Sequence, residues 1–182
     1  MNAALRTVVL LALPLLASPG AGQEAAPPVD RAAAMRRFDT WIGEWLGSGW
    51  SLDAAGRRTE FSLTEKVQSR VGGTVLLIEG RGTARADDGS ETVTHDGLVL
   101  VSWDEHAGRY RWNGHEARAG TVDADIVLLD DGLQWSLAGG GAAVRFTIRF
   151  DERRWHEIGE ASTDGKAWTV FMAMDLDRAS PR

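Results

Sequence analysis

Phe61-Ser62-Leu63-Thr64-Glu65-Lys66-Val67-Gln68-Ser69-Arg70-Val71-Gly72-Gly73-Thr74-Val75-Leu76-Leu77-Ile78-Glu79-Gly80 is the stretch that decides the fold. Apolar and polar residues alternate on both sides of Gly72-Gly73, which is the period of a strand, and a glycine pair supplies the positive backbone angles of a tight turn. With that pair as the loop, residues whose numbers sum to 145 face each other across the hairpin and share a face of the sheet. Phe61, Leu63, Glu65, Val67, Leu76, Ile78, Gly80 and Gly82 then line one side, and Lys66 falls opposite Glu79 on the other. The apolar side carries a single charge, Glu65, and Gly80 across from it leaves it room.

The same two-residue period runs outward from this hairpin. Strands are expected at 43–52, 58–70, 74–86, 91–103, 108–115, 121–129, 133–138, 142–150, 154–162 and 167–176, separated by turn chemistry such as Ala54-Ala55-Gly56, Asp87-Asp88-Gly89, Asp131-Gly132 and Asp164-Gly165. No helix-length segment separates them. A meander this long lowers its edge problem by curling closed, so the expected architecture is all-β: an antiparallel up-and-down barrel of about ten strands. Two stacked sheets would give the same hairpin signals. Before the strands, Ala34, Met35, Phe38, Trp41 and Ile42 recur at three- and four-residue steps behind Asp30, the pattern of one short N-capped helix.

The hairpin around Asp164-Gly165 repeats the pattern of the first. If it is a two-residue loop, Trp155, Glu157, Gly159, Ala161, Trp168, Val170, Met172 and Met174 share the inner face, and His156, Ile158, Glu160, Thr169 and Phe171 the outer. Glu157 is again the only charge among apolar neighbours. Strand 142–150 adds Val144, Phe146, Ile148 and Phe150, with Arg145 and Arg149 outward. Gly43, Trp45, Gly47 and Gly49 share parity, which leaves space beside a large indole for a ligand or for a sharp bend in the strand.

A buried ionised carboxylate is costly unless it is paired or solvated. Glu65 and Glu157 therefore indicate either internal salt bridges, with Arg81, Arg109 or Arg111 as partners, or a polar cavity. On the second reading the ligand-contact residues are Trp45, Gly47, Glu65, Phe146, Glu157, Trp168 and Met172, and the partner is a small hydrophobic or amphipathic molecule. An enzyme using Glu65 and Glu157 as acid and base, and a structural barrel without ligand, are the alternatives.

The chain has 182 residues, with 20 basic against 26 acidic, no cysteine, 8 Trp and 21 Gly. A net charge of -6 argues against nucleic acid and anionic lipid as partners. Without cysteine there is no disulfide framework, thiolate metal site or thiol nucleophile. Residues 1–22, with Arg6 ahead of an apolar run from Val8 to Ala17 and small residues to Gly22, have the order of a signal peptide. The apolar run is shorter than the roughly 20 residues that a membrane span needs, so no stable membrane anchor is expected. Residues 23–29, with Pro27 and Pro28, form a flexible leader, 30–178 the barrel domain and 179–182 a tail. The expected location is the periplasm or the medium.

Phe38-Asp39-Thr40-Trp41-Ile42-Gly43-Glu44-Trp45-Leu46-Gly47-Ser48-Gly49, a helix end running into G-x-W-x-G-x-G, resembles the opening of the calycin or lipocalin-like barrels. With Phe61–Glu65, Gly72–Gly80 and Trp155-His156-Glu157-Ile158-Gly159-Glu160-Ala161-Ser162, it is similar to an exported bacterial lipocalin-like family of unknown function, and distantly to nitrobindin-type haem-binding barrels. The resemblance implies a barrel with a small internal cavity and brings no established reaction. Nitrobindin-like relatives hold haem through a late histidine, but here His156 falls on the outer face, His106 in a turn and His115 at a strand end, while His95 has no assigned face. These placements argue against an axial ligand, so no cofactor is predicted, and a haem-binding nitrobindin-like barrel stands as a further alternative.

Overall fold

The computed structural model describes residues 30–180 apart from positions 87 and 140, so the segments expected to be signal peptide and leader, and residues 181–182 of the expected tail, lie outside the described residues. Ten strands follow one another: β1 (Gly43–Leu52), β2 (Arg58–Arg70), β3 (Val75–Arg85), β4 (Glu91–Asp104), β5 (Arg109–Glu116), β6 (Gly120–Leu129), β7 (Gly132–Gly139), β8 (Ala142–Phe150), β9 (Arg154–Ser162) and β10 (Thr169–Arg178). Each pairs antiparallel with the next, and β1 pairs with β10 from Trp45 opposite Arg178 to Ser51 opposite Met172. The sheet is a closed barrel. That last pairing excludes two separate sheets.

The β2–β3 register is the one that the Gly72-Gly73 pair dictates, with Glu65 opposite Gly80 and Lys66 opposite Glu79. The β9–β10 hairpin differs. Asp164 Oδ1 accepts the N–H groups of Lys166 (2.7 Å) and Ala167 (2.9 Å), and Ser162 Oγ accepts that of Gly165 (2.9 Å), so side chains wrap the loop and lengthen it beyond two residues. Thr169 then pairs with Ala161, a bulge follows, and Met172 pairs with Gly159 and Met174 with Glu157. Relative to the two-residue-loop expectation, the main register has slipped by an even number, which keeps Glu157, Gly159, Met172 and Met174 on one face. The bulge also turns Phe171 inward, where its ring meets Phe146 edge-on with centroids 5.6 Å apart.

The N-terminal segment is α1 (Arg31–Met35) continued by a 3₁₀ turn, Arg36–Trp41, rather than one uniform helix. Asp30 caps it by accepting the N–H of Ala32 at 3.0 Å. Its apolar side drops Met35, Phe38 and Trp41 into one end of the barrel, where all three are almost fully buried. Trp41 stacks on Phe150 at 4.7 Å and meets Trp155 edge-on at 4.6 Å, while Phe38 meets Tyr110 at 5.3 Å. The Tyr110 hydroxyl donates to the Ala34 carbonyl at 2.7 Å, tying the plug to β5. This end is closed.

Candidate functional site

At the opposite end, side chains that face the barrel axis are only half-buried: Phe61, His95, Glu116, Val144, Phe146 and Met172. The interior is a cup, with an aromatic floor and an open rim. Glu65 on β2 and Glu157 on β9 sit between floor and rim, 6% and 7% exposed. Both point inward, as their hairpin parities require.

Glu157 Oε2 accepts the indole N–H of Trp155 at 3.2 Å. Glu65 makes no hydrogen bond among the described residues, and its oxygens lie 2.5 and 2.7 Å from where a Cβ on Gly80 would stand. His95 Nε2 lies 2.7 Å from that same point. Carboxylate and imidazole thus share the space that Gly80 leaves empty. On its other side, His95 Nδ1 is 3.9 Å from Glu116 Oε1. A row of titratable groups therefore runs from Glu157 through Glu65 and His95 to Glu116 at the rim. Sequence reading left His95 without a face; the β4 register that pairs it with Gly82 sets it inside.

The electrostatics follow from burial. Removal from water, then the neighbouring charge of Glu157, pushes the Glu65 carboxyl up to about 8. Burial raises Glu157 to about 7, against the lowering pull of the Trp155 N–H. Burial lowers His95 despite the charges of Glu116 and Asp96. Burial works against ionisation of Glu116 too, yet the N–H groups of Ala119, Arg118 and Asp96 hold its carboxyl below the usual range. Near neutral pH the rim is therefore anionic, while the buried pair retains a proton.

The arginines considered as internal partners are outside. Arg81 pairs with Asp96 at 3.0 Å, and Arg109 and Arg111 pair with Asp125 across the outer face of β5 and β6. The internal salt-bridge expectation is corrected: among the described residues neither inner glutamate has a Lys or Arg within ion-pair distance. Three of the ligand-contact expectations also need correction. Trp45 is fully buried in the closed end, its N–H donated to the Trp41 carbonyl at 2.9 Å. The space beside Gly47 is filled by β10, because a Cβ there would collide with the Asp175 carbonyl oxygen and come 2.8 Å from the Leu176 Cα. Trp168 precedes β10 and covers the outward-facing Arg145 guanidinium at 4.1 Å. Phe146 and Met172 do line the cup, joined by Phe171, which the bulge alone delivers there.

No family model and no curated protein matches this chain. Solved structures do match. Rv2717c from M. tuberculosis superposes with a TM-score of 0.61 at 16% identity, covering 83% of this chain and 100% of that one. The S-type phycobiliprotein lyase CPES from Guillardia theta superposes with a TM-score of 0.55 at 10% identity, covering 82% of this chain and 94% of that one. The fold is that of the lipocalin-like barrels. In this lipocalin-like barrel a concavity of about 950 Å³ crosses β1 to β6, lined by Leu46, Thr64, Arg81, Asp96, Leu98 and His115 among others. Its Arg81 and Asp96 already satisfy each other, whereas the cup holds a buried carboxyl that makes no hydrogen bond among the described residues. The cup is the stronger site.

Proposed function

We propose that this chain is an exported, non-enzymatic barrel that binds a small, largely apolar molecule in the open half of its interior. The observation that carries the reading is Glu65: nine-tenths buried, without a hydrogen-bond or ion-pair partner among the described residues, and set beneath the half-open lining of Phe61, Phe146, Phe171 and Met172. A carboxyl in that setting destabilises the fold unless something else uses it. Apolar walls with a few convergent polar groups are the usual make-up of a small-molecule pocket. The phycobiliprotein lyase among the structural neighbours fits a fold that handles small molecules. The setting of His95 weighs against haem: among the described residues this axis-facing imidazole is bracketed by Glu65 and Glu116 rather than by apolar side chains.

Titration with the neutral dye N-phenyl-1-naphthylamine tests this. Binding should raise dye emission and quench tryptophan, and Phe146→Ala with Met172→Ala should weaken it at least fivefold. No dye binding, together with native mass spectra of exported protein free of any adduct, would overturn the reading. Export itself is checked by the intact mass of protein recovered outside the cytoplasm, expected to lack residues up to about Gly22. The second reading, an enzyme, is favoured by carboxyls at about 7 and about 8, where they can exchange protons at neutral pH. A turnover that survives both Glu65→Gln and Glu157→Gln would dismiss it.

A further inference from the structure

In the open half, among the described residues, the carboxyls that face the axis are Glu65, Glu157 and Glu116, beside His95. The arginines near them are engaged elsewhere, Arg118 at the rim with the Val93 carbonyl at 3.2 Å. Arg81, Arg109, Arg111, Arg145 and Arg149 pair with carboxylates on the outer face. Arg178 reaches the lining only at the closed end, where it covers the Trp45 ring at 4.2 Å and donates to the carbonyls of Ile42, Thr40 and Glu152. An anionic head group in the cup would meet partly desolvated carboxyls, with no Lys or Arg paired to Glu65 or Glu157 among the described residues. A cationic one would find the charge that Glu65 and Glu157 lack, with aromatic faces around it.

We infer that the occupant is a hydrophobic amine, its ammonium seated at Glu65 and Glu157 and its apolar body against Phe146, Phe171 and Met172. The inference rests on the interior-binding reading and adds the ligand's charge. Three independent features converge on it. Glu65 is buried and makes no hydrogen bond or ion pair among the described residues. Glu116, ionised at the rim by backbone N–H donors, attracts cations toward the mouth. Gly80 gives the Glu65 carboxyl the room it fills beside His95, since a Cβ there would meet its oxygens at 2.5 and 2.7 Å, and so holds the carboxyl at this depth in the lining. The indole N–H of Trp135, buried without a partner between the rings of Trp112 and Phe146, adds a neutral donor that expresses no charge preference.

Binding of an ammonium balances as a proton exchange. At pH 7 the inner pair holds a proton on Glu65, and seating the cation there displaces it to solvent, leaving the carboxylate hydrogen-bonded to N–H. Competition by octylamine, octanol and octanoate against N-phenyl-1-naphthylamine, with calorimetry in two buffers of different ionisation enthalpy, tests the point. Octylamine should bind at least tenfold tighter than octanol, octanoate weaker than both, and only the amine should release a proton. Glu65→Gln should bring amine and alcohol within about twofold of each other and abolish the release; Glu157→Gln is the second variant should the first not fold. Equal binding of amine and octanoate, or an amine preference unchanged in both variants, overturns the charge inference while dye binding keeps the interior reading. Failure of the dye and all three octyl compounds to bind removes both.

Discussion

At the scale of single residues, Glu65 and Glu157 set how the protein answers pH. Both carboxyls are raised in the folded state above their ordinary value of 4.5, to about 8 and about 7. Between those limits the native protein holds protons that the unfolded chain has released, so stability falls as pH rises from about 4.5 to about 8. Asp53, Asp104, Asp151 and Asp164 have the opposite sign: local N–H donors lower them, and what they contribute is lost as pH falls through their folded values. Maximal stability is therefore expected near pH 5. Glu65→Gln should match the parent there and exceed it by a few kcal/mol at pH 8, measured by urea unfolding at both pH values. A parent whose stability rises from pH 5 to pH 8 would show these carboxyls to be well solvated. Glu65 was legible in advance because one turn fixed its parity. Trp168 was not, because its position depends on how Ser162 and Asp164 wrap a loop, which alternation does not encode.

Glycines make a second residue-scale contrast. Gly47→Ala should cost about 1–3 kcal/mol, since the new methyl would meet rigid β10 backbone. Gly114→Ala should change stability by less than about 0.5 kcal/mol, because its nearest neighbour, Trp112 Nε1, stands at 3.4 Å, an ordinary contact. Thermal melts of the two variants separate these outcomes; equal melting temperatures would mean that β10 yields. From the sequence, the shared parity of Gly43, Gly47 and Gly49 showed only that space was kept. What fills it is a neighbouring strand 129 residues away in the chain, as Gly47 opposite Leu176 shows, and no local pattern carries that distance.

At the scale of elements, hairpins announced themselves wherever turn chemistry was compact, and the strand limits of β1, β2, β8 and β9 coincide with those expected. Two elements exceeded local reading. The bulge in β10 requires knowledge of the β9 register, and it brings Phe171 into the cup. The β2–β3 connection keeps its expected register but is built as a 3₁₀ turn in which Val71 adopts a φ of 52°, a left-handed angle that a β-branched residue resists. Val71 is also exposed, 75% by area, so no burial compensates for it. Val71→Gly should therefore stabilise the protein by about 1 kcal/mol, read from the denaturant midpoint, even though glycine widens the unfolded ensemble. A loss of stability would place the strain elsewhere in the turn.

At the scale of the molecule, one end of the barrel is sealed so that the other can stay open. The plug of Phe38, Trp41, Tyr110, Phe150 and Trp155 supplies the apolar burial that a half-open interior forgoes, and it explains why two buried carboxyls without a cation beside them among the described residues are tolerated above it. Closure converges on Arg178. Its guanidinium donates to carbonyls before β1 and after β8, its plane covers Trp45, and the N–H of Ala179 beside it donates to the Glu44 carbonyl at 2.8 Å. Gly43 leaves the room it occupies, since any side chain there would overlap Arg178. One planar fork thus joins the plug to both strands of the closing seam, a task a lysine ammonium cannot share among diverging carbonyls. Arg178→Lys should lower stability by about 1–3 kcal/mol and Arg178→Ala by more. Amide exchange should quicken along β1 and β10 while the β3–β4 amides keep their protection. Uniform loss of protection around the barrel would instead mean that the seam opens only with global unfolding, and that the cup has no weaker side through which a guest could enter.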